Sequence, residues 1–181
     1  MAKNEVRIIG GKWRGRKLKF PDAKGLRPSQ DRGRETLFNW IAPWIAESRV
    51  LDLFAGSGAL GFEALSRGAA HAELVDIAKP VALALEASKT ELAATNAAVY
   101  NRDALRHLHK CSQSYDFVFV DPPFNQALVD PVLRALINHN RLAEDALVYV
   151  EQPKREPLPG GYRVFRDKTF GDSRALLLAA Q

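Results

Sequence analysis

Residues 50–61 read VLDLFAGSGALG, and this stretch decides the fold. The apolar run over residues 50–54 is typical of a buried strand, and a helical pattern over residues 59–67 follows it directly. Gly56, Gly58 and Gly61 match the G-x-G-x-x-G pattern, in which glycines allow a tight turn and let a ligand approach the backbone. No Lys-Ser or Lys-Thr pair follows, which excludes a phosphate-binding P-loop. We therefore predict a ligand site at the carboxyl end of this strand.

The rest of the chain alternates strand and helix patterns. We predict further strands over residues 72–76, 97–101, 116–120, 146–151, 162–166 and 175–179, and helices over residues 81–95, 104–110 and 127–139. Such alternation indicates a parallel sheet covered on both faces. The last two strands have no helix between them, which indicates an antiparallel hairpin at one edge. The expected fold is α/β, with a mostly parallel seven-stranded sheet and a terminal antiparallel hairpin.

The basic residues are concentrated at the N-terminus. Residues 1–40 contain eleven basic and four acidic residues, a net charge of +7, whereas residues 41–181 contain fifteen and seventeen, a net charge of −2. Short strand patterns flank Gly10 and Gly11, which indicates a hairpin, and a helix is predicted over residues 29–41. So dense a positive segment favours a polyanionic partner, most simply nucleic acid, over a merely solvated face. We predict two domains, a basic nucleic-acid-binding extension (residues 1–42) and an α/β domain (residues 43–181).

Composition excludes several classes of protein. Hydrophobic residues make up 46% of the 181 residues and charged residues 26%, as in ordinary globular proteins. Cys111 is the single cysteine, so a disulfide scaffold and a cysteine-based zinc site are excluded. We expect no metal, because His107 and His109 are spaced to face different directions on a helix. The sequence has no long apolar run and no secretory signal at its start, so we expect a cytoplasmic protein without membrane attachment.

Asp52 and Asp76 bear on which ligand the glycine-rich turn binds. Both a dinucleotide and S-adenosylmethionine are bound by this type of turn, so the glycines alone leave a nicotinamide-dependent dehydrogenase open. The Asp52 carboxylate would satisfy the ammonium group of S-adenosylmethionine but would repel a pyrophosphate. Asp76, at the end of the next strand, is placed to bind a ribose diol. These carboxylates favour S-adenosylmethionine as the cofactor.

A second motif, Asp121-Pro122-Pro123-Phe124, follows the strand over residues 116–120. In a doubly wound sheet this strand neighbours the first one, so both motifs should border the same crevice. The two prolines end the strand and leave carbonyl oxygens free to accept hydrogen bonds, and Asp121 adds a side-chain acceptor. Two acceptors bonded to an exocyclic amine would direct its lone pair at a methyl donor, while Phe124 stacks on the base. The motif predicts methyl transfer to an amino group of a nucleobase.

The chain resembles the RsmD-type methyltransferases, which modify a guanine exocyclic N2 in small-subunit ribosomal RNA. The resemblance extends over nearly the whole chain, and its most specific part is the basic N-terminal signature. It is carried by residues 7–11, 13–18, 26–28, 31–32, 34–40, 54–61, 63–67 and 120–124. Asp121-Pro122-Pro123-Phe124 alone would be shared with DNA adenine and other amino methyltransferases. Asp76 departs from the family, which often has Glu there, but the shorter carboxylate can still reach a diol.

The resemblance implies a Rossmann-like class I S-adenosylmethionine-dependent methyltransferase and a 16S rRNA substrate, modified at guanine 966. Asp121, Pro122, Pro123 and Phe124 would be the catalytic residues. Cofactor binding would involve Asp52, Phe54, Gly56, Gly58, Asp76, Ile77, Asp103 and Ala104. RNA binding is assigned to Arg7, Lys12, Arg14, Arg16, Arg27, Arg32 and Arg34. We expect a monomer acting on 16S rRNA, either naked or within a small-subunit particle.

Two alternatives remain besides the dehydrogenase. A DNA adenine N6-methyltransferase would share the Asp121 motif, but the chain lacks room for a separate target-recognition domain. A noncatalytic RNA-binding assembly factor would share the basic segment, but it would not need an intact amine-binding turn. The sequence therefore favours the rRNA guanine-N2 methyltransferase.

Overall fold

The computed structural model describes residues 4–21, 31–123, 127–157 and 159–181, and it describes Asp31 and Arg32 by their backbone only. The strands are β1 (Glu5–Arg7), β2 (Lys17–Lys19), β3 (Arg49–Asp52), β4 (His71–Asp76), β5 (Ala97–Asn101), β6 (Tyr115–Val120), β7 (Leu142–Pro153), β8 (Tyr162–Phe170) and β9 (Ser173–Ala180). The helices are α1 (Asp31–Ile41), α2 (Ala59–Ser66), α3 (Lys79–Glu91), α4 (Ala104–Lys110) and α5 (Val129–Asn138).

Seven strands form one sheet in the order β5-β4-β3-β6-β7-β9-β8. The first five of these strands run parallel to one another, and β9 pairs antiparallel with both β7 and β8. The predicted mostly parallel sheet with a terminal antiparallel hairpin is therefore confirmed. Because β3 and β6 are direct neighbours, the residues that follow them meet at one edge, which we call the carboxyl edge.

Local chemistry explains where several elements begin and end. β3 ends at Asp52 rather than Phe54, because the chain turns there into the glycine-rich segment. α3 begins at Lys79, with Pro80 in its first turn. Backbone N–H groups in the first turn of a helix have no helical partner, so a proline there costs no hydrogen bond. β8 and β9 are longer than predicted and join through a tight turn at Gly171, which has a φ of +57°.

The N-terminal hairpin is confirmed as β1 and β2, but the prediction that Gly10 and Gly11 form its turn is wrong. Both glycines lie in a longer connection that docks on α2. A Cβ on Gly11 would lie 1.9 Å from the Ser66 carbonyl oxygen, and its φ is +76°. The glycines are therefore needed so that the backbone of this connection can lie directly against α2.

Buried polar groups of α2 hold the connection in place. The Glu63 side chain is fully buried, and its carboxylate accepts hydrogen bonds from the backbone N–H groups of Ile9 and Gly10, both at 2.7 Å. It also accepts one from Arg67 Nε at 2.8 Å. Ser66 Oγ donates to the Gly10 carbonyl and accepts from the Trp13 N–H. The N-terminal segment is thus fixed to the helix that begins at the glycine-rich turn.

The N-terminal segment also shares the main hydrophobic core. Val6, Ile8 and Leu18 pack in one buried cluster with residues of α1 and of the sheet. α2 runs from the carboxyl edge to the opposite edge, so the connection docked at its last turn lies a helix length, roughly 12 Å, from the glycine-rich turn. Among the described helices, none has the length and apolar character needed to cross a membrane.

Candidate active site at the carboxyl edge

Four carboxylates line the carboxyl edge, one at each of four neighbouring parallel strands. Asp52 ends β3, Asp76 ends β4, Asp121 follows β6, and Glu151 lies where the pairing of β7 with β6 ends. Since parallel strands end side by side, the fold brings together groups that are far apart in sequence. Within the described ranges no basic side chain forms an ion pair with any of the four. The edge is therefore suited to a positively charged or donor-rich ligand.

The glycine-rich turn is held by two of these carboxylates. Asp52 Oδ2 accepts a hydrogen bond from the Gly61 N–H, and Asp76 Oδ2 accepts one from the Gly56 N–H, both at 3.0 Å. Gly58 has a φ of +77°, and a Cβ there would lie 2.6 Å from the Phe62 ring and 2.7 Å from Leu85. Substituting Gly58 would therefore disturb the packing of α2 and α3 before it met any ligand.

Burial and repulsion shift the pKa values of the two carboxylates. Asp52 is 2% exposed, and its burial together with the nearby charge of Asp76 raises its pKa to about 7, despite hydrogen bonds from the backbone of Gly61 and Phe54. Burial also raises the pKa of Asp76, whose Oδ1 accepts from the Ala78 N–H at 2.8 Å. A cation bound at this edge would favour the ionised form of both groups.

Of the remaining predicted cofactor residues, Ile77, Asp103 and Ala104 follow the ends of β4 and β5, and Phe54 follows β3. Ile77 is 72% exposed, a large apolar side chain without cover among the described residues. Asn101 Nδ2 donates to the carbonyls of Asp76 and Ile77, which joins the ends of β4 and β5. Asp103 caps α4 by accepting from the Arg106 N–H at 2.9 Å, and Ala104 is buried. Phe54 is half-buried between the turn and the core. Their roles toward the cofactor stay predictions.

Asp121 and the two prolines form the other half of the edge. β6 ends at Val120, directly before the Asp121-Pro122-Pro123 segment, and Phe124 lies outside the described residues. Asp121 is half-buried, and none of the described residues donates a hydrogen bond to its carboxylate. Burial and the charges of Glu151 and Asp52 raise its pKa well above the usual range. A carboxylate this costly to bury without a partner is ready to accept a donor from a ligand.

Glu151 and Tyr149 were missed by the sequence reasoning. Tyr149 is fully buried, and its hydroxyl donates to Glu151 Oε1 at 2.7 Å. Burial raises the pKa of Glu151, while the Tyr149 hydrogen bond lowers it. A signal was present: Glu151 closes the predicted strand next to that of Asp121, and the side chains at matching ends of adjacent parallel strands share one edge.

The predicted RNA-binding residues fall into three groups. Arg7, Lys12, Arg14 and Arg16 are exposed, although Arg16 Nη2 also donates to the Glu91 carbonyl at the end of α3 at 3.1 Å. Arg27 and the Arg32 side chain lie outside the described residues. The prediction that Arg34 binds RNA is wrong, because its side chain is only 1% exposed and donates to the Arg7 carbonyl at 2.8 Å.

S-adenosylmethionine fits one half of the carboxyl edge, which we call the cofactor half and which comprises Asp52, the glycine-rich turn, Asp76 and Ile77. Its ammonium charge would meet the carboxylate of Asp52 and its ribose diol that of Asp76, and the exposed Ile77 side chain offers an apolar surface for adenine. The pyrophosphate of a dinucleotide would instead meet the buried carboxylate of Asp52, which disfavours a dehydrogenase. Across the described part of the chain, no three His, Cys, Asp or Glu side chains are arranged to hold a metal ion.

Comparisons with known proteins agree with this geometry. The family model described as "Conserved hypothetical protein 95" matches residues 6–179. The chain is 46% identical over 170 residues to ribosomal RNA small subunit methyltransferase D of Escherichia coli K12, covering 92% of this chain and 86% of that protein. It is 44% identical over 176 residues to the protein of the same name from Haemophilus influenzae, covering 94% and 91%.

A solved structure, the putative methyltransferase yhhF from Escherichia coli, superimposes with a TM-score of 0.89 at 43% identity and covers 98% of this chain and 99% of its own. The predicted family, fold class and S-adenosylmethionine cofactor are confirmed. The chain belongs to the RsmD-type family of ribosomal RNA methyltransferases.

Proposed function

We propose that this chain transfers a methyl group from S-adenosylmethionine to the exocyclic N2 amine of a guanine in 16S rRNA, guanine 966 by the family resemblance. The observation that carries this proposal is the carboxylate of Asp121. It is half-buried beside the glycine-rich turn and lacks a hydrogen-bond donor among the described residues. An amine with two N–H groups supplies the donors that this position needs.

Bound S-adenosylmethionine supplies an electrophilic methyl group on its sulfonium. The glycine-rich turn and Asp76 would hold the cofactor, which would leave as a neutral thioether when its C–S bond breaks and the C–N bond forms. Because the positive charge then moves to the amine nitrogen, the carboxylate of Asp121 would stabilise it there. Asp121 and a carbonyl oxygen of the proline turn accept the two N–H groups of the guanine amine and direct its lone pair at the methyl group. The raised pKa of Asp121 lets its carboxylate take up the proton that the methylated nitrogen releases. Phe124 stacks on the flipped base.

The basic N-terminal segment holds the RNA in this proposal. Residues 1–42 act as an RNA-binding extension of the methyltransferase domain, residues 43–181. Lys12, Arg14 and Arg16 lie at the far end of α2 and α3, whereas Arg27 and Arg32 precede or open α1, which approaches Glu151. An RNA bound to both groups would extend along the helices for about 12 Å, the length of α2. The chain acts as a monomer.

The test is transfer of a labelled methyl group to three substrates: naked 16S rRNA, a small-subunit particle lacking the modification, and double-stranded DNA. We expect label in RNA and none in DNA. The labelled position is then located by protecting defined rRNA segments from nuclease digestion. Label in DNA would favour the adenine methyltransferase, and label in no substrate by a protein that binds the cofactor would contradict the proposal.

A further inference from the structure

We propose that Glu151, held by the Tyr149 hydroxyl, selects guanine as the methyl acceptor by accepting a hydrogen bond from its N1–H. This inference rests on the proposed function, because it identifies what the second carboxylate of the acceptor half recognises. We use that name for the part of the carboxyl edge formed by Asp121, the two prolines and Glu151. Neither the sequence motifs nor the mechanism above uses Glu151.

The sheet places Glu151 beside Asp121. Val120 of β6 pairs with Val150 of β7, so the next residues of the two strands, Asp121 and Glu151, continue side by side at the carboxyl edge. The charge of Glu151 raises the pKa of Asp121, which reflects this proximity. A base whose amine is bound by Asp121 therefore has Glu151 as its next neighbour.

One oxygen of Glu151 is fixed and the other is free to bind a ligand. The Tyr149 hydroxyl donates to Oε1 at 2.7 Å, and the Tyr149 ring packs edge-on against Phe119, with centroids 6.4 Å apart. No hydrogen-bond donor among the described residues meets Oε2, and the side chain is only half-buried. A carboxylate oriented in this way is a preformed acceptor.

α1 covers this group from the other side. A Cβ on Gly33 would lie 3.6 Å from Glu151 Oε1 and 3.8 Å from the Tyr149 hydroxyl oxygen. Among the described residues, the first turn of α1 thus lies against the Oε1 side of Glu151, the side that Tyr149 also holds. The N-terminal segment therefore shapes the acceptor half directly, in addition to any contact it makes with phosphates.

Base chemistry decides which ligand suits two adjacent acceptors. Guanine presents its N2 amine beside the N1–H, so both neighbouring groups are donors. Adenine and cytosine each present an amine beside a ring nitrogen that is an acceptor, which an ionised Glu151 would repel. The two donors of guanine would favour the ionised form of both groups against the burial that raises their pKa values. A carboxylate beside Asp121 therefore favours guanine, since hydrogen bonds to charged groups are stronger than neutral ones.

The test replaces the target guanine in a ligated 16S rRNA by 2-aminopurine, which keeps the amine but lacks the N1–H. Wild type should methylate guanine at least about tenfold faster than 2-aminopurine, the value of one charge-assisted hydrogen bond. In Glu151→Gln the amide N–H can donate to the bare ring nitrogen, so this preference should fall to within about threefold. The loss of the guanine oxygen affects both enzymes equally, so the ratio isolates Glu151.

Two further variants separate recognition from folding. Glu73→Gln alters another buried carboxylate, one that pairs with His107 away from this edge, and should keep the wild-type preference. Tyr149→Phe removes the hydrogen bond that fixes Glu151 Oε1 but keeps the carboxyl group, and it should lower the preference by a smaller factor. If Glu151→Gln fails to fold, the preference of Tyr149→Phe tests the inference. If the folded Glu151 and Tyr149 variants kept the wild-type preference for guanine over 2-aminopurine, the inference would be overturned and the proposed function would stand. Methylation of a base other than guanine overturns the proposed function and the inference with it.

Discussion

The carboxyl edge of the sheet and the docked connection between β1 and β2 carry opposite charge and are built by different means. At the carboxyl edge, topology brings four carboxylates together, although Asp52 and Glu151 are 99 positions apart in the chain. The docked connection instead depends on individual polar contacts, above all those of Glu63 with Ile9 and Gly10. The chemistry of the edge therefore follows from the fold, whereas the placement of the basic residues depends on a few buried groups.

The largest effect should come from the acceptor half of the edge. We expect Asp121→Ala to lower methyl transfer by at least about a hundredfold, because the amine loses a preorganised acceptor. Cofactor affinity should stay within about tenfold, or 1.4 kcal/mol. Transfer rates and calorimetric titration with S-adenosylmethionine measure the two quantities. Asp116→Ala, at the opposite end of β6, is the control. If Asp121→Ala lowered cofactor affinity as much as it lowers methyl transfer, Asp121 would serve the cofactor rather than the amine.

The next effect concerns the link between the two regions. Glu63→Ala removes a fully buried acceptor of three hydrogen bonds and leaves two backbone N–H groups and Arg67 without it. We expect the free energy of unfolding to fall by about 2–4 kcal/mol, measured in urea. Glu86→Ala, which removes an exposed helical carboxylate paired with Lys89, should cost less than about 0.5 kcal/mol. Equal losses in the two variants would mean that Glu63 does not anchor the connection.

The acidity of the edge should appear in the pH dependence of cofactor binding. The native pKa of Asp52 is raised from 3.8 to about 7, so the group is mostly protonated at pH 6 and mostly ionised at pH 8. The cationic cofactor favours the ionised form, so its affinity should rise with pH by up to about tenfold over this interval. Asp52→Asn should flatten this rise, leaving the smaller contribution of Asp76. The same rise in the variant would show that Asp52 does not sense the cofactor.

The same shift affects stability with the opposite sign. Because the native pKa of Asp52 is higher than that of the unfolded chain, the native state binds more protons between about pH 4 and pH 7. The contribution of Asp52 to stability is therefore largest below pH 4 and is lost as the pH rises through 7. Unfolding of the free protein in urea at pH 5 and pH 8 should show a smaller difference in Asp52→Asn than in wild type.

The smallest effect is expected from the basic segment. Replacing Arg14, Arg16 and Arg27 together by Gln should weaken RNA binding. It should also reduce the slope of log affinity against log salt concentration by up to about 2, since each phosphate contact on single strands contributes about 0.7 to that slope. Cofactor affinity should not change, because Arg14 and Arg16 lie at the other end of α2 from the cofactor half and none of the three arginines is among the predicted cofactor residues. RNA affinity across a salt series measures this slope. An unchanged slope with the protein folded would mean that the charge of these residues serves solvation only.

The sequence predicted those features that are local or follow from strand order. The glycine-rich turn is local, and the adjacency of Asp52 and Asp121 follows from the doubly wound topology. The docking of Gly10 and Gly11 on α2 was not predictable, because a glycine pair between two strands is as compatible with a hairpin turn as with a docked connection. Its true partners, Glu63 and Ser66, lie more than 50 residues away.

Two errors in the site had signals in the sequence. Arg34 lies on the same helical face as Leu37, Phe38 and Ile41, at intervals of three, four and seven residues, so its burial could have been read from that spacing. Charge density alone did not distinguish it from its exposed neighbours. Glu151 was overlooked because no motif surrounds it, although its position at the end of a predicted parallel strand matches that of Asp121.

The chemical identity of the methylated nucleoside tests the central claim most directly. 16S rRNA treated with the wild-type chain and S-adenosylmethionine, naked and within a small-subunit particle, is digested to nucleosides and analysed by mass spectrometry against standards. The arrangement of Asp121, the proline turn and Glu151 predicts N2-methylguanosine as the product, absent when Asp121→Ala replaces the wild type. A product methylated on adenine, on cytosine or on a ring atom of guanine would contradict the account.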